Sequence, residues 1–188
     1  MRYVLIGLVA ALWLVFGVSS FSKVRSVTAQ RAFVASLRPW QFLPVRFLAL
    51  VAAVVTGAEI AVVLGASWTL AGIMFGRSWR AAGLGTLVLA ALLLIVLTIG
   101  IAVALRQGTE ATCACFGVTE RPLSGAHLVR DCVLLLAVTG GLALVAAEPD
   151  RPTQPAGAML GLVSGAVIGL IVVRLDDLVE LFTSRPTS

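Results

Sequence analysis

From Ala81 to Leu105 the chain carries no charged residue and no proline. A stretch of that length matches the roughly 20 apolar residues a helix needs to cross the hydrocarbon core of a bilayer. Backbone N–H and C=O groups placed in lipid must be satisfied within the protein, which leaves helices or closed barrels. An unbroken apolar run without period-two alternation selects the helix. Four further apolar runs follow the same logic and predict spans near 3–21, 45–64, 126–147 and 156–174, beside 81–105. The expected fold is therefore all-α: a polytopic membrane helix bundle with a four-helix core and a fifth, C-terminal transmembrane helix, forming one transmembrane domain over 1–175 and a polar tail over 176–188.

The balance of residues agrees. The 188 residues are 60% hydrophobic and 12% charged, and mean hydropathy is +1.05. A soluble domain has about 25% charged residues. The net charge of +5 is distributed between apolar runs and forms no single basic face, so phospholipid headgroups, not nucleic acid, are the expected acidic partner. The first run, Tyr3 to Phe21, follows one basic residue and ends in small serines, as a signal peptide does. It is longer than an h-region of about 7–15 residues, and a membrane helix is the better reading.

Between the spans, 22–44 is a basic interfacial loop containing Lys23, Arg25, Arg31 and Arg38. Val24, Val27, Val34 and Leu37 recur there at near-helical spacing and predict a helix lying in the interface. Phe47 to Gly76 is too long for one ordinary span, so a turn with an apolar surface segment is expected over 65–76. Gly157, Gly161, Gly165 and Gly169 form a stripe along the fifth helix, as close approach to a neighbouring membrane helix requires.

The chemistry concentrates in the loop 106–124. It holds Cys113-Ala114-Cys115-Phe116-Gly117, and so two of the three cysteines. Cysteines at i and i+2 point to nearly opposite sides of a helix, so these two can pair only in a non-helical loop. A disulfide across one residue departs from relaxed geometry and is more readily reduced, which suits electron exchange better than permanent cross-linking. Arg106 and Arg121 favour a thiolate, Glu110 and Glu120 oppose it, and the direction of the shift stays open. Inert burial as small hydrophobes is the plain alternative. Metal binding through Cys113, Cys115 and either His127 or Cys132 is another, although the spacing matches no standard zinc pattern. Cys132 follows His127 by five residues, about 7.5 Å deeper along a helix, and serves as a resolving thiol only if the loop folds down on it. Glu59 stands near mid-helix, where a carboxylate in lipid is a functional hypothesis by default.

The Ser22-Lys23 step, the Leu37-Arg38 to Leu43-Pro44 approach, Glu59, the Cys113-Ala114-Cys115-Phe116-Gly117 motif, Pro122-Leu123-Ser124 and Leu128-Val129-Arg130-Asp131 together resemble the MauE family of integral membrane proteins, related to the DoxX-like group, over roughly residues 1–147. Asp131 stands where most members have Asn, and Cys132 lies outside the pattern. The resemblance implies a cell-membrane protein that acts with a thioredoxin-like partner in disulfide formation, as in maturation of methylamine dehydrogenase. Cys113 and Cys115 would be the redox pair of a thiol–disulfide oxidoreductase; the residues themselves, not the resemblance, suggest Glu59, His127 and Cys132 as auxiliary groups. The layout also resembles the DsbB and vitamin K epoxide reductase bundles, an analogy that raises quinone as a cofactor without establishing one. An ion or small-molecule transporter using Glu59, or a non-catalytic scaffold, are the rival readings. Topology divides the evidence: the side bearing the cysteine loop carries about ten Lys and Arg against four, which reads as cytoplasmic, whereas a disulfide function implies the extracytoplasmic side.

Overall fold

The computed structural model describes residues 1–37, 44–76, 78–106, 125–147 and 154–175. The described residues form α1 (Arg2–Val24), α2 (Val27–Ser36), α3 (Val45–Phe75), α4 (Arg80–Arg106), α5 (Gly125–Ala147) and α6 (Pro155–Val173). All but α2 are long and apolar enough to cross a membrane. The chain is a multi-pass, all-helical membrane protein.

Buried positions recur at alternating steps of four and three along the helices. On α1 they include Leu5, Val9, Leu12, Phe16, Ser19 and Lys23, and on α5 His127, Asp131, Leu134, Val138 and Val145. Such spacing keeps one stripe of a helix turned towards its neighbours. The stripes meet in a core that includes Leu5, Val9, Val62, Leu87, Leu94 and Val138, while Leu92, Val96, Leu136 and Ile171 face outwards, as in a bundle solvated by lipid tails.

Packing partners fix the directions. Ser19 meets Glu59 and Trp13 meets Ser67, so α1 and α3 are antiparallel. Gly65 lies against Thr86 and Gly72 against Trp79, which makes α3 and α4 antiparallel. The glycines of α6 run parallel to α1: Gly157 lies at Tyr3, Gly161 at Tyr3 and Ile6, Gly165 at Gly7, and Gly169 at Ala11. A Cβ on Gly165 would overlap the Gly7 carbonyl, so the small-residue stripe sets the approach of these two backbones.

Two expectations change. α3 runs unbroken through 65–75 and stops at Gly76, whose φ of 66° is the left-handed cap that glycine takes readily. Gly65 and Gly72, inside the stretch where a turn is expected, are packing positions that admit the Thr86 and Trp79 side chains. A helix, α2, forms in the stretch expected to lie in the interface, capped by Ser26 Oγ accepting from Ala29 N–H, and only part of its expected apolar face packs. Phe33, Val34 and Leu37 pack on Leu48 and Ala52 of α3, while Val24 and Val27 are exposed. The Phe33 ring gains from burial against α3.

Candidate functional site

Every second connection of an up-and-down bundle falls at the same end. The C-termini of α1 and α4 and the N-termini of α3 and α5 therefore share one end, and the chain between Arg106 and Gly125 departs from it. Cys113 and Cys115 belong to that segment and lie outside the described residues, as do Arg121 and Arg38. What the structure describes is the protein beneath them.

There, α1 extends about one turn past the predicted span and carries Lys23 with it. Lys23 lies four residues after Ser19 on the buried stripe, and its Nζ donates to Ser19 Oγ (2.8 Å) and to Glu59 Oε1 (2.5 Å). Ser19 Oγ donates to the same Glu59 oxygen (2.9 Å). Both charged side chains are 2% exposed. A buried charge is tolerated only when paired and hydrogen-bonded, and the Lys23 ammonium meets that need for one Glu59 oxygen. Glu59 Oε2 is buried and has no hydrogen-bond partner among the described residues. The Phe33 ring of α2 covers the ammonium, 4.8 Å from its centroid, a cation–π contact.

Across the bundle, the first turns of α5 supply the second half. Arg130 and Asp131 are buried, with Arg130 Nε and Asp131 Oδ1 3.5 Å apart. His127 is buried one turn earlier on the same stripe. A small cavity of about 30 Å³ joins the halves, lined by Ser19, Glu59, Arg130 and Asp131 together with Val15, Phe16, Leu94, Leu97 and Leu134. It has room for a water molecule or one small polar group. Glu59, Arg130 and Asp131 thus meet at one cavity inside an apolar bundle, with Lys23 bonded to Glu59 beside it.

Of the residues singled out from sequence, Glu59 lies in this cluster and His127 borders it on α5. Cys132 does not: its side chain is exposed, on the opposite side of α5 from the buried Asp131 stripe. Among the described residues no three His, Cys, Asp or Glu side chains converge as a metal site. Lys23 and Ser19 are additions. The signal for them was the continuation of the Leu5, Val9, Leu12, Phe16 spacing to Ser19 and Lys23, which a charge count assigns to the following loop. Arg130 and Asp131, noted from sequence only as parts of a motif, are the charged wall facing Glu59.

The family model described as "Methylamine utilisation protein MauE" matches residues 1–147. These residues comprise α1 to α5 and include every member of the charge cluster. No curated protein and no solved structure matches the chain significantly.

Proposed function

The chain belongs to the MauE family of methylamine utilisation proteins, and from that membership we propose that it is a membrane thiol–disulfide component working with a thioredoxin-like partner on exported proteins. The observation that carries this reading is the buried Lys23–Glu59 and Arg130–Asp131 cluster at the bundle end from which the Cys113–Cys115 segment departs. Intramembrane ionisable groups accompany proton or substrate handling, and thiol–disulfide exchange requires both thiol deprotonation and a proton acceptor.

In the proposed step a thiolate of the partner's dithiol attacks the Cys113–Cys115 disulfide. A mixed disulfide forms, the second partner thiolate displaces it, and the partner leaves oxidised while Cys113 and Cys115 become the dithiol. Two electrons and two protons pass to this chain. Glu59, with one oxygen held by Lys23 and Ser19 and the other unpartnered among the described residues, is the candidate proton carrier. His127, on the entry turn of α5, is the candidate link towards the segment. The cysteine end is proposed to face the extracytoplasmic side of the cell membrane, and methylamine dehydrogenase maturation is the proposed setting.

The test is a trap. With Cys113→Ser or Cys115→Ser the remaining thiol is expected to hold a mixed disulfide with a thioredoxin-fold protein, visible on non-reducing gels. Recovery of neither variant in such a complex would refute the relay. The cluster also supports the rival transport reading, in which Glu59→Gln abolishes solute flux while both cysteine variants retain it.

A further inference from the structure

The Lys23–Glu59 pair leaves one carboxylate oxygen over. Glu59 Oε1 takes hydrogen bonds from Lys23 and Ser19, whereas Oε2 is buried and has no partner among the described residues. A buried acceptor without a donor is costly, and more so when it carries charge. Glu59 lines the small polar cavity and Lys23 does not, so Oε2 is the oxygen left to meet it.

The opposite wall of that cavity belongs to α5. Arg130 and Asp131 line it there, each 4% exposed. α5 packs chiefly on α4 and meets α1 only lightly, so the cavity lies on its less supported side. At about 30 Å³ it exceeds the roughly 10–15 Å³ that one water needs, and it is too small for a lipid headgroup. The Lys23 ammonium and the Arg130 guanidinium disfavour a metal cation there, and the Glu59 and Asp131 carboxylates disfavour an anion. A small neutral group that both donates and accepts is left, and water does both. It donates to Oε2 when Glu59 is ionised and accepts from it when Glu59 is protonated, so one ligand serves either state.

We propose that a bound water bridges Glu59 Oε2 to the Arg130–Asp131 pair, joining α1, α3 and α5 in one hydrogen-bonded chain that runs Lys23, Ser19, Glu59, water, Asp131. Arg130 and Asp131 take part in further interactions, and these persist: a carboxylate has about four acceptor sites, so the water displaces nothing. α5 begins at Gly125, directly after the segment that holds Cys113 and Cys115, and a change of protonation at Glu59 reaches α5 through this water. The bridge rests on the cavity and Oε2 alone; only its bearing on the thiols rests on the relay reading.

A crystal structure of the full chain grown from a lipidic mesophase, at a resolution that shows ordered water, tests the bridge directly. A water is expected within about 3.2 Å of Glu59 Oε2 and of either an Asp131 oxygen or an Arg130 guanidinium nitrogen. Oε2 bonded directly to Arg130, or a cavity holding no water, would overturn the proposal. Hydrogen exchange in nanodiscs gives a second reading. Lys23→Met combined with Glu59→Leu removes the acceptor without stranding a charge. Amide exchange over the first turns of α5 is then expected to quicken about tenfold or more, with that of α4 unchanged. Exchange at α5 equal to that of the unaltered chain, or a rise shared by α4, would count against the bridge. Protein with both Cys113→Ser and Cys115→Ser is expected to keep the water. Its retention there together with failure of the mixed-disulfide trap would sustain the bridge and remove the relay.

Discussion

At the scale of residues, the decisive arrangement is Lys23 against Glu59. The two are far apart in sequence, come from different helices and are buried together, with Ser19 bonded to both. Removing one partner leaves the other charge buried without compensation, a loss of about 3–5 kcal/mol. Lys23→Ala is therefore expected to lower thermal stability in detergent sharply, and Glu59→Gln less so, because a neutral amide retains hydrogen bonding to Lys23 and Ser19. The double variant Lys23→Met with Glu59→Leu should recover most of the stability lost by Lys23→Ala, while abolishing any proton function. Melting temperatures of the variants check this; a double variant as unstable as Lys23→Ala would contradict the pairing. Cys132, exposed on α5, is expected to tolerate serine with no change in the oxidation state of the other thiols, as a gel-shift alkylation assay would report.

At the scale of elements, the contact of α1 with α6 depends on absent side chains. Gly161 sits where an added Cβ would come 2.8 Å from the Tyr3 carbonyl, whereas at Gly57 an added Cβ would meet nothing within 4 Å. Gly165→Leu is thus expected to force α6 off α1 and destabilise the bundle by about 1–3 kcal/mol, and Gly57→Ala to be neutral or mildly stabilising, since alanine favours helix by up to about 1 kcal/mol. Thermal denaturation of the two variants distinguishes a packed interface from a loosely attached helix. The stripe of α6 was legible in sequence because glycine at every fourth position has few other uses in a membrane helix. The course of α3 was not, since Gly65 and Gly72 have the same identity whether they end a helix or admit Thr86 and Trp79. Only the neighbouring helix decides between those roles. Similarly, Lys23 looks like loop charge until Glu59 is brought against it, because local hydropathy registers the cost of burial and not the partner that offsets it.

For the molecule as a whole, five spans place α2, the C-termini of α4 and α6 and the N-terminus of α5 at one end. The apolar runs made this architecture readable, since in lipid the backbone leaves few alternatives. The basic residues of that end are less simple as a topological signal. Lys23 and Arg130 are buried in ion pairs, and Arg31 is exposed on α2, where a basic residue suits lipid headgroups of either leaflet. In a Cys132→Ser background, an impermeant maleimide applied to intact cells, after mild reduction, is expected to label Cys113 and Cys115; labelling only after lysis would put the cysteine end in the cytoplasm, as the charge count reads. The central claim is that these two thiols form one redox couple. It is tested most directly by equilibrating purified Cys132→Ser protein in glutathione buffers and counting alkylatable thiols. The account predicts that both thiols disappear together along a single two-electron curve, about 30 mV per tenfold change in the ratio of the two forms. Two thiols that stay alkylatable across the whole range would contradict it.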